Sequence, residues 1–388
     1  MSLPTRRPAG CPFDPPAELT RLRAEEPVCP LTYPDGHEGW LVTSHALVRQ
    51  VLSDPRFSRR AELCHSPFRV VGGNAEPQPA PPGGFPGMDP PEHTRYRHLL
   101  TRQFTVRRMR RLSSGIEEIT AEHLDAMQAQ GPPVDLVEAF AVPIPSRVIC
   151  ELLGVSAADR SQFVGAMSLV GRMGVTAEEQ IAALQPMIEY VSELIRAKRA
   201  KPTDDVLSDL TSSTDLTDDE LTTIGTQMVA AGFDTTANMI GLGAYALMSH
   251  PDQIPALREP GAVEELLRYL SVIPGTVRAA LEDLELGGVT IKAGQSVTVS
   301  IPAANHDPQH FPEPGTLDLH TPASGHVAFG HGIHQCLGQQ LARVELQVAL
   351  PALFDRFPTM RPAIPVGEIP LRTDMLVYGV HRLPITWS

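Results

Sequence analysis

The sequence predicts a mainly α-helical protein with smaller β-sheets (α+β), folded as a single domain over residues 1–388. Three observations carry that expectation. Apolar residues recur at helical spacing from about 114 to 201. A further helix of about thirty residues follows Thr217, and strand-like runs are confined to about 28–43, 278–301 and 370–388. With 42% hydrophobic and 20% charged residues, the 388-residue chain can bury a sizeable core. Its formal net charge of −13 argues against nucleic acid and anionic membrane surfaces as general partners. No apolar run is long enough to span a bilayer, and Met1 to Pro8 lack the apolar region of a secretory signal. Cys11, Cys29, Cys64, Cys150 and Cys336 are odd in number and scattered, which suits a reducing cytosol rather than a disulfide framework. A cytoplasmic protein is the expectation.

In chain order, Val28 to Val42 hold two strand-like runs around Asp35-Gly36, a hairpin signal. Ser44 to Leu52 read as a short helix that Asp54-Pro55 stops. The stretch from Pro67 to Gly87 is dense in proline and glycine; by composition it is a disordered connector, by function a lid over a pocket. Met88-Asp89-Pro90-Pro91 then opens a strongly basic helix. Its His93 and Arg97, four apart on one face, are placed to bind two carboxylates. Arg102, Arg107, Arg108, Arg110 and Arg111 continue the run, either as a solvated face or as a docking surface for an acidic partner. The helical pattern breaks at Gly165, Gly171 and Gly174; Arg172 there, and Arg69 earlier, read as surface charges or as contacts to a polar substrate.

Thr217-Asp218-Asp219-Glu220 is a capping box, and the helix after it runs to His250-Pro251, ~45 Å at 1.5 Å per residue. Midway stand Ala230-Ala231-Gly232-Phe233-Asp234-Thr235-Thr236, polar groups that are costly inside an apolar helix unless bonded or used. Either Thr235 bonds back to the Ala231 carbonyl, or Gly232 opens a notch where Asp234 and Thr235 pass protons to a bound ligand. Glu265 and Arg268, three apart on a helix introduced by Pro260-Gly261, read by spacing alone as one more surface ion pair. Strands resume at Leu284–Leu286 and Val289–Ile291 around Gly287-Gly288, then at Val297–Ile301, Tyr378–Val380 and Pro384–Trp387, the last two joined by a turn. The densest chemistry lies in His326–Gly338, a glycine- and histidine-rich loop ending at Cys336 just before a helix. The free N–H groups of such a helix start stabilise a thiolate and lower its pKa. His331, His334 and Cys336 are potential zinc ligands without paired C-x-x-C spacing, and a nucleophilic cysteine would need a base that nothing nominates.

Phe329-Gly330-His331-Gly332-Ile333-His334-Gln335-Cys336-Leu337-Gly338 resembles the haem-binding stretch of the cytochrome P450 family, F-G-x-G-x-H-x-C-x-G. Ala231 to Thr236 resemble that family's oxygen-activation motif A-G-x-D-T-T, Asp89 to Arg97 its D-P-P-x-H-x-x-x-R, and Glu265 to Arg268 its E-x-x-R. The resemblance covers nearly the whole chain and implies the family's fold, with a long central helix over the haem and a cysteine-ligand loop. It implies haem b held by Cys336 through iron, its propionates met by His93, Arg97, Arg278 and His334, and Phe329, Gly330 and Gly338 shaping the loop. A thiolate ligand favours O–O cleavage. Ala231 and Gly232 would leave room for oxygen, Asp234 and Thr235 would deliver protons, and Glu265 with Arg268 would brace the haem's far side.

The implied activity is a monooxygenase that inserts one oxygen atom from O2 into a C–H bond, or across an alkene. Electrons would come from ferredoxin reductase through an acidic ferredoxin on the arginine face, and the enzyme would act as a monomer. By position, Gln227, Ala230, Pro274, Thr276, Val277, Leu376 and Val377 would contact substrate, the last two at the final turn. Most are small, and only 5% of residues are aromatic, so a roomy pocket and a bulky secondary metabolite are expected. The pattern is similar to actinobacterial members that tailor macrolides and other polyketides. A peroxide-driven peroxygenase and a non-enzymatic haem sensor or carrier are the alternatives. Two departures stand out: Thr321 replaces an arginine that usually joins the E-x-x-R pair, with His320 beside it as a substitute brace, and His306 replaces the arginine of A-N-R-D-P.

Overall fold

The computed structural model describes all residues except 9, 69–75, 105, 160–170, 174 and 322, and the backbone alone of 106, 107, 109–111, 157, 177 and 213. The early hairpin forms as its sequence requires. β1 (Val28–Thr32) pairs antiparallel with β2 (Glu38–Val42), and the turn places Gly36 at φ +89°, where a side chain would be strained. With β3 (Phe57–Ser58), β4 (Val134–Asp135), β5 (Gly275–Ala280), β6 (Leu284–Leu286), β7 (Val289–Ile291) and β8 (Ser296–Ser300), the strands assemble mainly into one sheet of order β1-β2-β8-β5-β3. β6 and β7 form their own small hairpin, while β9 (Arg361–Pro362) and β10 (Pro384–Thr386) join β4 in a third sheet.

Helices make up the rest: α1 (Ala17–Glu25), α2 (His45–Ser53), α3 (Glu92–Thr101), α4 (Val106–Gln130), α5 (Pro143–Leu153) and α6 (Ala177–Ala200) precede the centre of the fold. After α7 (Val206–Ser213), the capping box starts α8 (Asp218–Ser249). There the Thr217 hydroxyl accepts the Glu220 N–H at 3.2 Å and Glu220 accepts the Thr217 N–H at 2.7 Å. From Thr236 to Leu247 every residue of α8 is buried, because apolar side chains on all its faces meet α5, α6 and α11 (Gln339–Arg356). Between them lie α9 (Ala262–Leu270) and α10 (Ile301–Asn305). No helix among the described residues is long and apolar enough to cross a membrane.

Three expected elements differ. The basic helix is broken into α3 and α4, because the chain turns at Thr101–Phe104 with the Phe104 N–H on the Thr101 carbonyl. The strand expected to reach Ile301 stops at Ser300, whose hydroxyl caps α10 by accepting the Ala303 N–H, with Pro302 in its first turn. Tyr378–Val380 is no regular strand; only an isolated bridge from Leu371 to Val380 forms there.

Candidate active site

A cavity of about 430 Å³ separates the middle of α8 from the loop before α11. Loop geometry comes from its glycines. Gly330 and Gly332 sit at φ +71° and +75°, and a Cβ on Gly332 would fall 2.4 Å from the Leu52 carbonyl oxygen, so the loop lies directly against the end of α2. The Cys336 N–H donates to the Phe329 carbonyl at 2.9 Å, which closes the loop and leaves the thiol on the cavity wall. Cys336 departs from expectation in one respect. Burial pushes its thiol above the usual range, and the Gly338 N–H, Arg97 and Arg343 only partly oppose that. The physical reason is that α11 starts at Gln339, so the cysteine lies short of the helix end in an enclosed setting.

One corner of the cavity is a cluster of cations. Arg97, Arg278 and Arg59 border it, the last in no motif that would have singled it out, with the ring of His334 beside them. Among the described residues no carboxylate pairs with any of these guanidiniums; Arg278 donates to the Val277 carbonyl at 2.9 Å instead. Burial, with Arg59 nearby, lowers Arg278 to about 10, and burial together with His93 and the arginines lowers His334 to about 3. The His93 ring is buried 4.2 Å from the His334 ring, and neither of its nitrogens has a partner. A concentration of positive charge with orphaned ring nitrogens is a site built for an anion. The two propionates of a haem match it, and the thiol of Cys336 on the same cavity matches the iron. The zinc alternative fits less well: His331 faces Arg49 at 3.5 Å while His334 faces His93.

Across the cavity, Ala231, Gly232, Thr235 and Thr236 line the α8 side. The helix is continuous there, so Gly232 does not break it; its hydrogen faces Ile149, which would lie 2.9 Å from an added Cβ. The Thr235 hydroxyl donates to the Ala231 carbonyl at 2.8 Å, leaving its lone pairs toward the cavity free to accept. Asp234 does not border the cavity. Its carboxylate accepts from Arg372 at 2.7 and 3.2 Å and from the Asn238 amide at 2.9 Å. Glu345 carries no sequence signal and still belongs to the site. It lies buried on α11 at the cavity edge, its Oε2 has no partner, and burial pushes its carboxyl well above the ordinary range.

Behind the cysteine loop, Glu265 and Arg268 form the expected buried pair at 2.6 and 2.7 Å. The guanidinium also donates to the carbonyls of Asn305, Pro314 and Thr316, and Glu265 takes the Asp318 N–H at 3.3 Å. That backbone N–H is the one further contact the Glu265 carboxylate makes among the described residues. Thr321 bonds Asp318, and His320 pairs with Glu259, so His320 does not supply the brace. His306 is buried with its Nδ1 donating to the Pro302 carbonyl, and burial beside Arg268 lowers it to about 3; it is neutral and no substitute for a guanidinium.

A second brace has no counterpart among the sequence motifs. Glu264 accepts from His326 at 2.9 Å and from Arg343 at 2.6 and 2.9 Å, tying the start of the cysteine loop and the helix α11 that follows it to α9. These partners hold the Glu264 carboxyl down at about 2 despite burial. Its folded pKa lies below the ordinary 4.5, so its stabilisation is complete above pH 4.5 and is lost as pH falls toward 2. The stability gap between the wild type and Glu264→Gln is therefore expected to shrink over that window, as followed by circular dichroism. A gap unchanged with pH would exclude this role.

Of the expected substrate contacts, Gln227 and Thr276 border the cavity, whereas Ala230, Pro274, Val277, Leu376 and Val377 do not. Alternation along β5 explains one miss: Thr276 and Arg278 face the cavity, so Val277 points into the cluster formed with Leu19 and Leu22. Leu376 instead bonds the Gly171 carbonyl through its N–H, and Arg172 is engaged by Asp374 at 3.7 Å. Phe85 and Pro86, at the end of the expected lid, do reach the cavity, while Arg69 lies outside the described residues. On the basic face Arg102 is exposed, but Arg108 turns inward to Asp209 at 2.5 Å. The side chains of Arg107, Arg110 and Arg111 lie outside the described residues.

Comparison with known proteins agrees with this geometry. The family model described as Cytochrome P450 matches residues 166–260 and 260–362. Cytochrome P450 105C1 of a Streptomyces species is 48% identical, over 97% of this chain and 96% of its own length. Pentalenic acid synthase of Streptomyces avermitilis is 43% identical, over 97% and 95%. Among solved structures, CYP105P1 in complex with filipin I superposes with a TM-score of 0.93 at 41% identity, covering 100% of this chain and 98% of that one.

Proposed function

The chain belongs to the cytochrome P450 family and is a monooxygenase with haem b as its cofactor; from that premise we propose that it oxygenates a C–H bond of a bulky, neutral secondary metabolite of the macrolide or polyketide type. The observation that carries this reading is the cavity wall. Away from the cationic corner it is made by Phe85, Pro86, Ile149, Leu152, Met228 and Ile273, with Gln227 and Thr276 as neutral polar groups. A charged substrate would meet no opposite charge there. A relative named for making pentalenic acid and a structural neighbour holding filipin I support a natural-product substrate.

Cys336 would ligate the iron through Sγ, and Arg97, Arg278, His93 and His334, with Arg59, would hold the propionates. When bound, haem supplies the binding and reductive activation of dioxygen. The protein's own groups do the rest. Ala231 and Thr235 shape the oxygen side, the Thr235 hydroxyl accepts a hydrogen bond while donating to the Ala231 carbonyl, and Asp234 carries protons once Arg372 releases it. Gln227 orients the substrate, and apolar walls exclude water. Two electrons come singly from an acidic ferredoxin, supplied by ferredoxin reductase, that docks on the face around Arg102. A panel of macrolides, terpenoids and fatty acids tests the substrate class through the haem spin-state shift, followed by product analysis with ferredoxin and its reductase. Macrolides are expected to shift the spin state and yield a hydroxylated or epoxidised product. A response confined to fatty acids would overturn the assignment.

A further inference from the structure

The residues before α1 carry no catalytic motif, yet one of them touches two segments that shape the cavity. Arg7 is half-buried, and its guanidinium donates to the carbonyls of Phe13 at 2.7 Å, Leu270 at 3.1 Å and Ser271 at 3.2 Å. Its plane also covers the Tyr378 ring at 3.9 Å, and the Tyr378 hydroxyl donates to the Pro12 carbonyl at 2.7 Å. Leu270 and Ser271 are the last residues at the C-terminal end of α9, where carbonyls lack partners within the helix and a cation is favourable. Ser271 sits at φ +42°, a left-handed conformation that a serine holds only under constraint, and its hydroxyl is fixed between Arg268 and Asn305.

Immediately after Ser271 the chain becomes the cavity wall itself. Val272 and Ile273 both border the cavity, and the Val272 carbonyl accepts the Tyr378 N–H at 2.8 Å. The guanidinium thus closes a ring running from Pro12 and Phe13 through Leu270, Ser271 and Val272 to Tyr378. We propose that Arg7 is a positioning residue that fixes the Val272–Ile273 wall of the substrate cavity by clamping the α9 end against Tyr378. The proposal rests on the monooxygenase reading of that cavity. Arginine suits this role because its planar fork satisfies several carbonyls while stacking on a ring; a lysine ammonium keeps the charge at the helix end but loses the stack.

The test uses the haem-loaded full-length protein and two iron-binding probes, bulky clotrimazole and small imidazole, titrated by their optical shifts. Arg7→Ala is expected to weaken clotrimazole about tenfold, leave imidazole and the reduced carbon-monoxide spectrum unchanged, and be partly rescued in Arg7→Lys. Equal affinity of Arg7→Ala and wild type for clotrimazole would overturn the proposal, as would parallel loss of both probes together with haem, the mark of an anchor that merely holds the fold. Should Arg7→Ala not yield haem-loaded protein, Tyr378→Leu removes the other half of the clamp and is read the same way. A wild type that shifts with neither probe would instead refute the monooxygenase reading, so the two failures are distinct.

Discussion

Replacing Cys336 by serine is expected to abolish monooxygenase turnover and to remove the carbon-monoxide band of a sulfur-ligated haem, while the fold survives. The loop that presents the thiol does not depend on sulfur. It is held by the Cys336 N–H on the Phe329 carbonyl, by Gly332 against Leu52, and by Glu264 bridging His326 to Arg343. A hydroxyl in place of the thiol is a harder and far less electron-donating ligand, so the push that favours O–O cleavage is lost. The cationic corner is untouched, and haem should still be retained in part through its propionates. Circular dichroism would report the intact fold and the reduced carbon-monoxide spectrum the changed ligand. A serine variant with the wild-type spectrum would place the iron elsewhere.

Thr235→Ala is expected to keep haem binding yet divert electrons to peroxide, lowering product per electron pair by about 10²-fold. Alanine is the best helix former, and the threonine hydroxyl makes only a local bond to the Ala231 carbonyl, so α8 itself should be undisturbed. What disappears is a hydroxyl of the cavity wall that can both donate and accept. Asp234→Asn should slow turnover by a similar factor through a different route, since an amide neither carries the proton nor draws Arg372 as strongly. Coupling is read by comparing reduced nicotinamide consumed at the reductase with product and peroxide formed. Equal coupling in Thr235→Ala and wild type would remove the role given to the hydroxyl.

Much of this was legible because it is local. A capping box, a hairpin turn, the Cys336 loop and the Glu265–Arg268 pair are written within a few residues each, at spacings that secondary structure turns directly into contacts. Contacts between distant residues are not written that way. Arg372 meets Asp234 across 138 positions and Arg343 meets Glu264 across 79, and neither arginine stands in a pattern that marks it. Burial was equally hidden: the same thiol that a helix start would acidify is pushed the other way by its surroundings, and Glu345 inside an apolar run gave no sign that burial would push its carboxyl up. The Val277 miss differs, because the two-residue period of a strand that puts Arg278 on the cavity also puts Thr276 there and turns Val277 away.

The bridge that joins Leu371 to Val380 holds Arg372 on one side and Tyr378 on the other. Through it, the opening and closing stretches of the polypeptide converge on one side of the reaction chamber. Chimeras made with a homologue would therefore do best to take the stretches around Arg7 and Tyr378 from the same parent. Libraries aimed at new substrates would accordingly vary Arg7 and Tyr378 together with the residues a ligand touches.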